Sequence, residues 1–286
     1  MTTLKLYFTG LLVAAVFISA QVGCNLETGG AGFTGIETNK TGSTIMERYK
    51  LNNNHERLAV APNSFGEYLR NLKLKPYGSV VKYYNGEEKN KENVYDAVVD
   101  MEIGTKNLQQ CADAVMRLRG EYLFARKAYE KLHFNFTNGF NCEYKKWKEG
   151  YRVKVEGNKT TWVKNAKPSN TYETFRKYMD MVFNYAGTLS LSKELKSKSI
   201  ADMQIGDVFI QGGSPGHAVL VVDMMKDKKS GQKYFMLAQS YMPAQETQVL
   251  LNPNADEKTV WYKLDSSKND VTTPEWNFTN KDLKSF

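Results

Sequence analysis

The alternation of apolar and polar positions changes character several times along the chain. Leu11 to Ala20 form an apolar run behind Lys5, followed by Val22, Gly23 and Cys24 and then by a Gly/Thr-rich stretch to Thr44. A positive start, an apolar stretch too short to span a bilayer, small residues and then Cys are the marks of a secretory signal ending in a lipobox-like site. The pattern therefore predicts a signal peptide over 1–23, lipid attachment at Cys24, and a flexible leash over 24–44. Such a chain would sit in the cell envelope, lipid-anchored to the outer membrane or facing the periplasm.

Beyond the leash, Ser64 with Glu67 three residues later is a capping box opening a helix over 65–72. Strand-like runs follow at Val80 to Tyr84 and Val94 to Met101. Leu108, Cys111, Val115, Leu118, Tyr122, Ala125, Tyr129 and Leu132 then recur at spacings of three and four, predicting one long helix with Asn107 as its cap. Asp113, Arg117 and Glu121 fall on its polar face, four apart. Tyr151 to Glu156 and Thr160 to Lys164 flank Gly157 and Asn158 as a hairpin. A second helix is marked by Asn170 and Glu173 at its start, by Tyr172, Phe175, Met179 and Val182 as its stripe, and by Gly187 as its stop.

From there on the period is that of strands: Asp207 to Gln211, His217 to Met224, Tyr234 to Gln239, Thr247 to Leu251 and Thr259 to Leu264. Helices first and antiparallel strands afterwards give an α+β class, with a long N-terminal helix packed on an antiparallel sheet. No internal repeat or linker divides it, so 45–286 reads as a single domain.

Composition narrows the function classes. Hydrophobic residues make up 41% of the chain, which excludes disorder as the main state. Three Cys exclude a disulfide scaffold, and three His without an HExxH pair argue against a transition-metal enzyme, so no metal and no cofactor are expected. The formal charge of +8 is dispersed, as in Lys145, Lys146, Lys148, Arg152 and Lys154, and no nucleic-acid signature accompanies it. In an envelope setting its partners would be the membrane, peptidoglycan or anionic glycan. Tyr144, Trp147, Tyr151 and Trp162 interleave with these cations, which offers a sugar-stacking face as the alternative to a plain hairpin.

Candidate chemistry centres on few residues. His217 follows the tight turn Gly212-Gly213-Ser214-Pro215-Gly216 at the mouth of an apolar strand, where an imidazole can act as a base. His55 and His133 read as solvent-facing. Cys111 lies at a helix start, where backbone N–H groups favour a thiolate nucleophile. The same residue lies on the apolar stripe, where a free Cys is a small buried hydrophobe, and a disulfide to Cys142 is a third reading. Gln239 ends the strand after His217 and can orient the imidazole, whereas Asp223 lies six residues along the His217 strand, about 20 Å away. Gln109 or Gln110 can donate to an oxyanion.

The order of a Cys at a helix start, the run Gly206-Asp207-Val208-Phe209-Ile210, the strand from His217 to Asp223 and a polar residue on the next strand resembles the NlpC-type papain-like hydrolase fold. That resemblance implies Cys111 as nucleophile, His217 as base and Gln239 as the orienting residue, although Ala112-Asp113 stands where Ser-Gly usually follows the Cys. The segments LQQCADAVMRL (108–118), GDVFIQGGSPGHAV (206–219), AQSYMPAQ (238–245), YAGT (185–188) and TPEW (273–276) resemble a lipoprotein family of Bacteroidota-type bacteria, domain of unknown function 4846. Together these readings imply an envelope lipoprotein that is a cysteine hydrolase of amide or peptide bonds, with cell-wall peptide as the expected substrate. The alternative is a non-catalytic binding module of the same fold recognising glycan or wall polymer.

Overall fold

The computed structural model describes residues 1–2 and 38–286, so the signal peptide, Cys24 and most of the leash lie outside the described residues. Residues 38–286 belong to one compact unit. Residues 38–44, assigned above to the leash, are tied into it. Asn39 N–H donates to the Arg48 carbonyl at 2.7 Å, Leu74 N–H donates to the Ser43 carbonyl at 2.8 Å, and Thr44 caps the first helix.

The architecture is mixed α+β, with a mostly antiparallel sheet. The helices are α1 (Ile45–Arg48), α2 (Phe65–Arg70), α3 (Cys111–Ala125), α4 (Tyr144–Lys148), α5 (Tyr172–Tyr185) and α6 (Thr188–Glu194). The main sheet has nine strands: β1 (His55–Arg57), β2 (Tyr95–Val98), β3 (Lys196–Ser197), β4 (Val208–Gln211), β5 (His217–Asp227), β6 (Lys233–Gln239), β7 (Gln248–Leu250), β8 (Trp261–Lys263) and β9 (Leu283–Ser285). Its order is β2-β7-β6-β5-β4-β9-β3, with β1 added beside the far end of β5 and β8 beside the start of β6. Separate two-stranded pairs are formed by 133–135 with 141–143, by 151–156 with 159–164, and by 270–272 with 277–279.

The central strands are apolar on both faces because both faces are covered. Ala218, Leu220 and Val222 of β5 pack into a core shared with Val115, Met116 and Leu118 of α3 and Phe175, Met179 and Val182 of α5. Val219 and Val221 point the other way, into a second core with Phe209, Phe235, Phe278 and Leu283. Opposite the Met236/Leu237 step, β5 carries Val222 as an extra residue, since Leu237 pairs with Val221 and Met236 with Asp223. Such a bulge reverses which residues face which side beyond it.

Several expectations need correction. The periodic stripe from 108 to 132 is helical only from Cys111 to Ala125, and the chain then makes a 3₁₀ turn at Tyr129–Lys131. The long helix is thus the third in chain order rather than an N-terminal one. Its cap is Gln110, because the Asn107 carboxamide is engaged elsewhere, accepting from the Ala244 N–H at 2.8 Å. The supposed polar face is buried, with Arg117 1% and Asp113 6% exposed, because α3 is enclosed on that side as well. Residues 80–84 form no strand. They make isolated bonds, such as the Tyr84 N–H to the Ala244 carbonyl at 2.9 Å, and loop on towards Lys89. Helix α5 is capped by Thr171 rather than Asn170, and α6 follows directly after Gly187.

Candidate functional site

The ends of β5 and β6, the start of α3 and the turn at 273–276 converge at one end of the main sheet. His217 is the first residue of β5 and is 1% exposed. The turn before it is fixed by contact with α6, where Thr188 Oγ1 donates to the Gly213 carbonyl at 3.1 Å. Gln239 closes β6, 2% exposed, and its Oε1 lies 2.8 Å from His217 Nε2. Gln239 Nε2 donates in turn to Glu275 Oε2 at 2.7 Å. Lys89 and Lys91 donate to the same carboxylate at 2.7 and 2.8 Å. Asp223, the alternative partner for His217, is instead bound by Arg57 and Arg70.

Aromatic rings close over the imidazole. Tyr241 stands 4.7 Å from it between ring centroids, Trp276 5.3 Å and Phe278 5.9 Å. The burial they produce pulls the His217 pKa down from 6.5 to about 4, against the Gln239 hydrogen bond and the Glu275 charge. Burial likewise works against the Glu275 charge, but the two lysines outweigh it and hold that carboxyl below the usual range.

Cys111 is the first residue of α3 and is half-buried. Burial pushes its thiol up to about 11, with Asp113 adding to the rise, against the backbone N–H groups of Ala112, Ala218 and Cys111 itself. The Ala218 N–H is the link between the two candidates, since Ala218 directly follows His217. Helix α3 packs on the Ala218 side of β5, and Tyr241, whose ring lies 4.7 Å from the His217 imidazole, is also close enough to Cys111 to be affected by its charge. Among the described residues no hydrogen bond joins the thiol to the imidazole; what they share is the strand start, His217 itself and the Ala218 N–H on the thiol. With the thiol near 11 and the imidazole near 4, the resting pair is neutral.

The disulfide reading is overturned, because Cys111 and Cys142 are both free thiols and Cys142 is fully buried on the separate 141–143 strand. The oxyanion candidates differ. Gln110 Nε2 donates to Asn107 Oδ1 at 3.2 Å, whereas Gln109 Nε2 is buried with no partner while its Oε1 accepts from Arg117 Nη1 at 2.9 Å. His55 and His133 are partly exposed and stand apart, beside Asp227 and Glu194 respectively.

Sequence reasoning missed Glu275, Lys89 and Tyr241, and placed Asp113 on a polar face although it is buried. Asp113 accepts from the Gln110 N–H at 3.0 Å, and burial raises its carboxyl to about 8, so the residue after Ala112 is a largely neutral acid at neutral pH. The available signal for Glu275 was the TPEW run itself, in which Thr273 and Trp276 bond each other across a turn that leaves Glu275 between them. The basic-aromatic segment is covered in part, with Tyr151 and Trp162 half-buried. Tyr144 and Trp147 are buried, Arg152 lies 4.3 Å from the Trp147 ring, and Lys146 lies 5.7 Å from the Trp162 ring.

In comparison with known proteins, the family model described as domain of unknown function (4846) matches residues 45–285. No curated protein and no solved structure matches the chain.

Proposed function

The chain belongs to the family of domain of unknown function 4846, whose description states no activity, and from the site we propose a cysteine hydrolase of amide or peptide bonds, papain-like in arrangement. The observation that carries the reading is the His217–Gln239 hydrogen bond beside a cysteine at a helix start, with the Ala218 N–H on the thiol. A helix-borne Cys packed against a sheet whose adjacent strands supply a His and a polar orienting residue is the arrangement expected of an NlpC-type core.

Three elements of the chemistry follow. Because the resting pair is neutral, Cys111 would act by general-base assistance, with His217 Nδ1 taking the thiol proton as sulfur attacks the carbonyl carbon. This needs Nδ1 and Sγ to close to hydrogen-bond contact when substrate is seated, and catalytic contacts commonly tighten in the complex. The α3 backbone N–H groups and Gln109 Nε2 are the donors for the oxyanion. The proton then passes to the leaving amine, and water attacks the thioester to release the acid and restore the thiol.

We place this activity in the envelope, on cell-wall peptide, through a lipid on Cys24. No helix among the described residues is long and apolar enough to cross a membrane, so that placement rests on the N-terminal sequence pattern. The raised thiol pKa favours the other reading, a non-catalytic binding module with a buried Cys111. One experiment separates them. Purified wall fragments incubated with wild type should yield new amino and carboxyl ends, and Cys111→Ala should lower the rate by at least about a thousandfold; identical product profiles leave the binding module.

A further inference from the structure

The TPEW turn has no role in the chemistry above, yet it delivers a carboxylate into the site. Glu275 is a charged side chain only 3% exposed, and Lys89, which pairs with it, is 2% exposed. Burying two opposite charges is costly unless their geometry is good and their remaining hydrogen-bonding capacity is used. Here it is used: Oε2 accepts from Lys89 and from Gln239 Nε2, and Oε1 accepts from Lys91, which is 59% exposed.

The consequence is directional. An ionised carboxylate only accepts hydrogen bonds, so the Gln239 atom facing Glu275 has to be the amide nitrogen. The Gln239 oxygen then faces His217, and an amide oxygen only accepts. His217 Nε2 must therefore carry the proton, which leaves Nδ1 with its lone pair free. Without the carboxylate, the Gln239 amide could turn over and present its NH₂ to Nε2, placing the proton on Nδ1, where it would block proton abstraction.

We propose that Glu275 is a positioning residue: through the Gln239 amide it fixes the His217 tautomer, with the proton on Nε2 and the lone pair on Nδ1. Lys89 and Lys91 keep the carboxylate ionised, in line with its lowered pKa. The proposal's use to catalysis rests on the hydrolase reading, but the tautomer itself does not.

The test reads the tautomer directly. In full-length protein labelled with ¹⁵N-histidine, three imidazoles give resolvable ring-nitrogen shifts, and His217→Gln assigns its signals. At pH 7 wild-type His217 should show a protonated Nε2 and an unprotonated Nδ1. In Glu275→Gln combined with Lys89→Met, where no buried ammonium holds the new amide oxygen towards Gln239, the Nε2-protonated population should fall to about half. Glu275→Asp, still acceptor-only, should stay closer to wild type, an ordering that a purely structural role would not produce. A wild-type spectrum with the proton on Nδ1 overturns the proposal whether or not the variants fold. So does an unchanged tautomer in the folded Glu275→Gln, Lys89→Met double variant. Loss of wall cleavage as the criterion is kept apart: if Cys111→Ala cleaves as well as wild type, the hydrolase reading falls while the tautomer result stands.

Discussion

Protonation of His217 is where burial has its clearest thermodynamic cost. Its pKa is about 4 in the folded chain against an ordinary 6.5, so above pH 6.5 it is neutral in both folded and unfolded states and contributes no pH dependence. As pH falls from 6.5 to about 4 the unfolded chain takes up a proton that the folded chain refuses, and stability drops; below about 4 both are charged and the loss levels off. The shift corresponds to a loss of about 3 kcal/mol. Urea unfolding of wild type and His217→Gln between pH 7.5 and 4 should show the wild-type advantage shrinking by about that amount. Parallel curves would mean that the imidazole is free to charge. His217 and Gln239 could be picked out because each ends an apolar run with a polar residue. For Glu275 the TPEW run marks a turn but not its partner, because Gln239 lies on a strand 36 positions earlier and nothing periodic surrounds the glutamate.

At the scale of elements, the turn before β5 decides whether His217 meets Gln239. A Cβ on Gly216 would stand 2.5 Å from Thr188 Oγ1, 2.6 Å from the Gly213 carbonyl oxygen and 2.9 Å from the Gln211 carbonyl oxygen. Two of these are backbone atoms that cannot rotate away, so Gly216→Ala must move the turn off α6. The expected cost is about 1–3 kcal/mol, with loss of wall cleavage exceeding that of stability; thermal melting beside the cleavage assay measures both, and an unshifted melt with full activity would show a turn that yields freely. The strands of this half were legible because β4, β5 and β6 are covered on both faces and appear as dense apolar runs. Helix α6 was not: Leu189, Leu191 and Leu195 are too few to show a period, and Gly187 reads as a stop although it also precedes a new helix. The 80–84 run failed for the opposite reason. Val80 to Tyr84 have strand propensity, but their tertiary partners are the isolated backbone groups of 244–246.

Across the whole molecule, one carboxylate reinforces the backbone pairing that holds the 45–70 segment on the sheet. Asp223 sits at the β5 bulge, fully buried, and its Oδ2 accepts from Arg57 Nε at 2.7 Å while its Oδ1 accepts from Arg70 Nε at 2.7 Å and from the Met224 N–H at 2.8 Å. Arg57 also donates to the Tyr49 carbonyl at 2.7 Å and Arg70 to the Leu58 carbonyl at 2.9 Å. The strand β1, helix α2 and the turn after α1 are thereby tied to the strand that carries His217. No spacing in the sequence connects Asp223 with an arginine 166 positions away. Asp223→Ala would leave two guanidinium groups short of their counter-charge and should cost about 3–5 kcal/mol. Replacing the triad together, Asp223→Leu with Arg57→Met and Arg70→Met, should recover most of that loss, because the cost lies in the unpaired charges. Chemical denaturation of the single and triple variants decides the matter: equal destabilisation by both would show that the ion triad itself, rather than relief of unpaired charge, holds the N-terminal segment on the sheet.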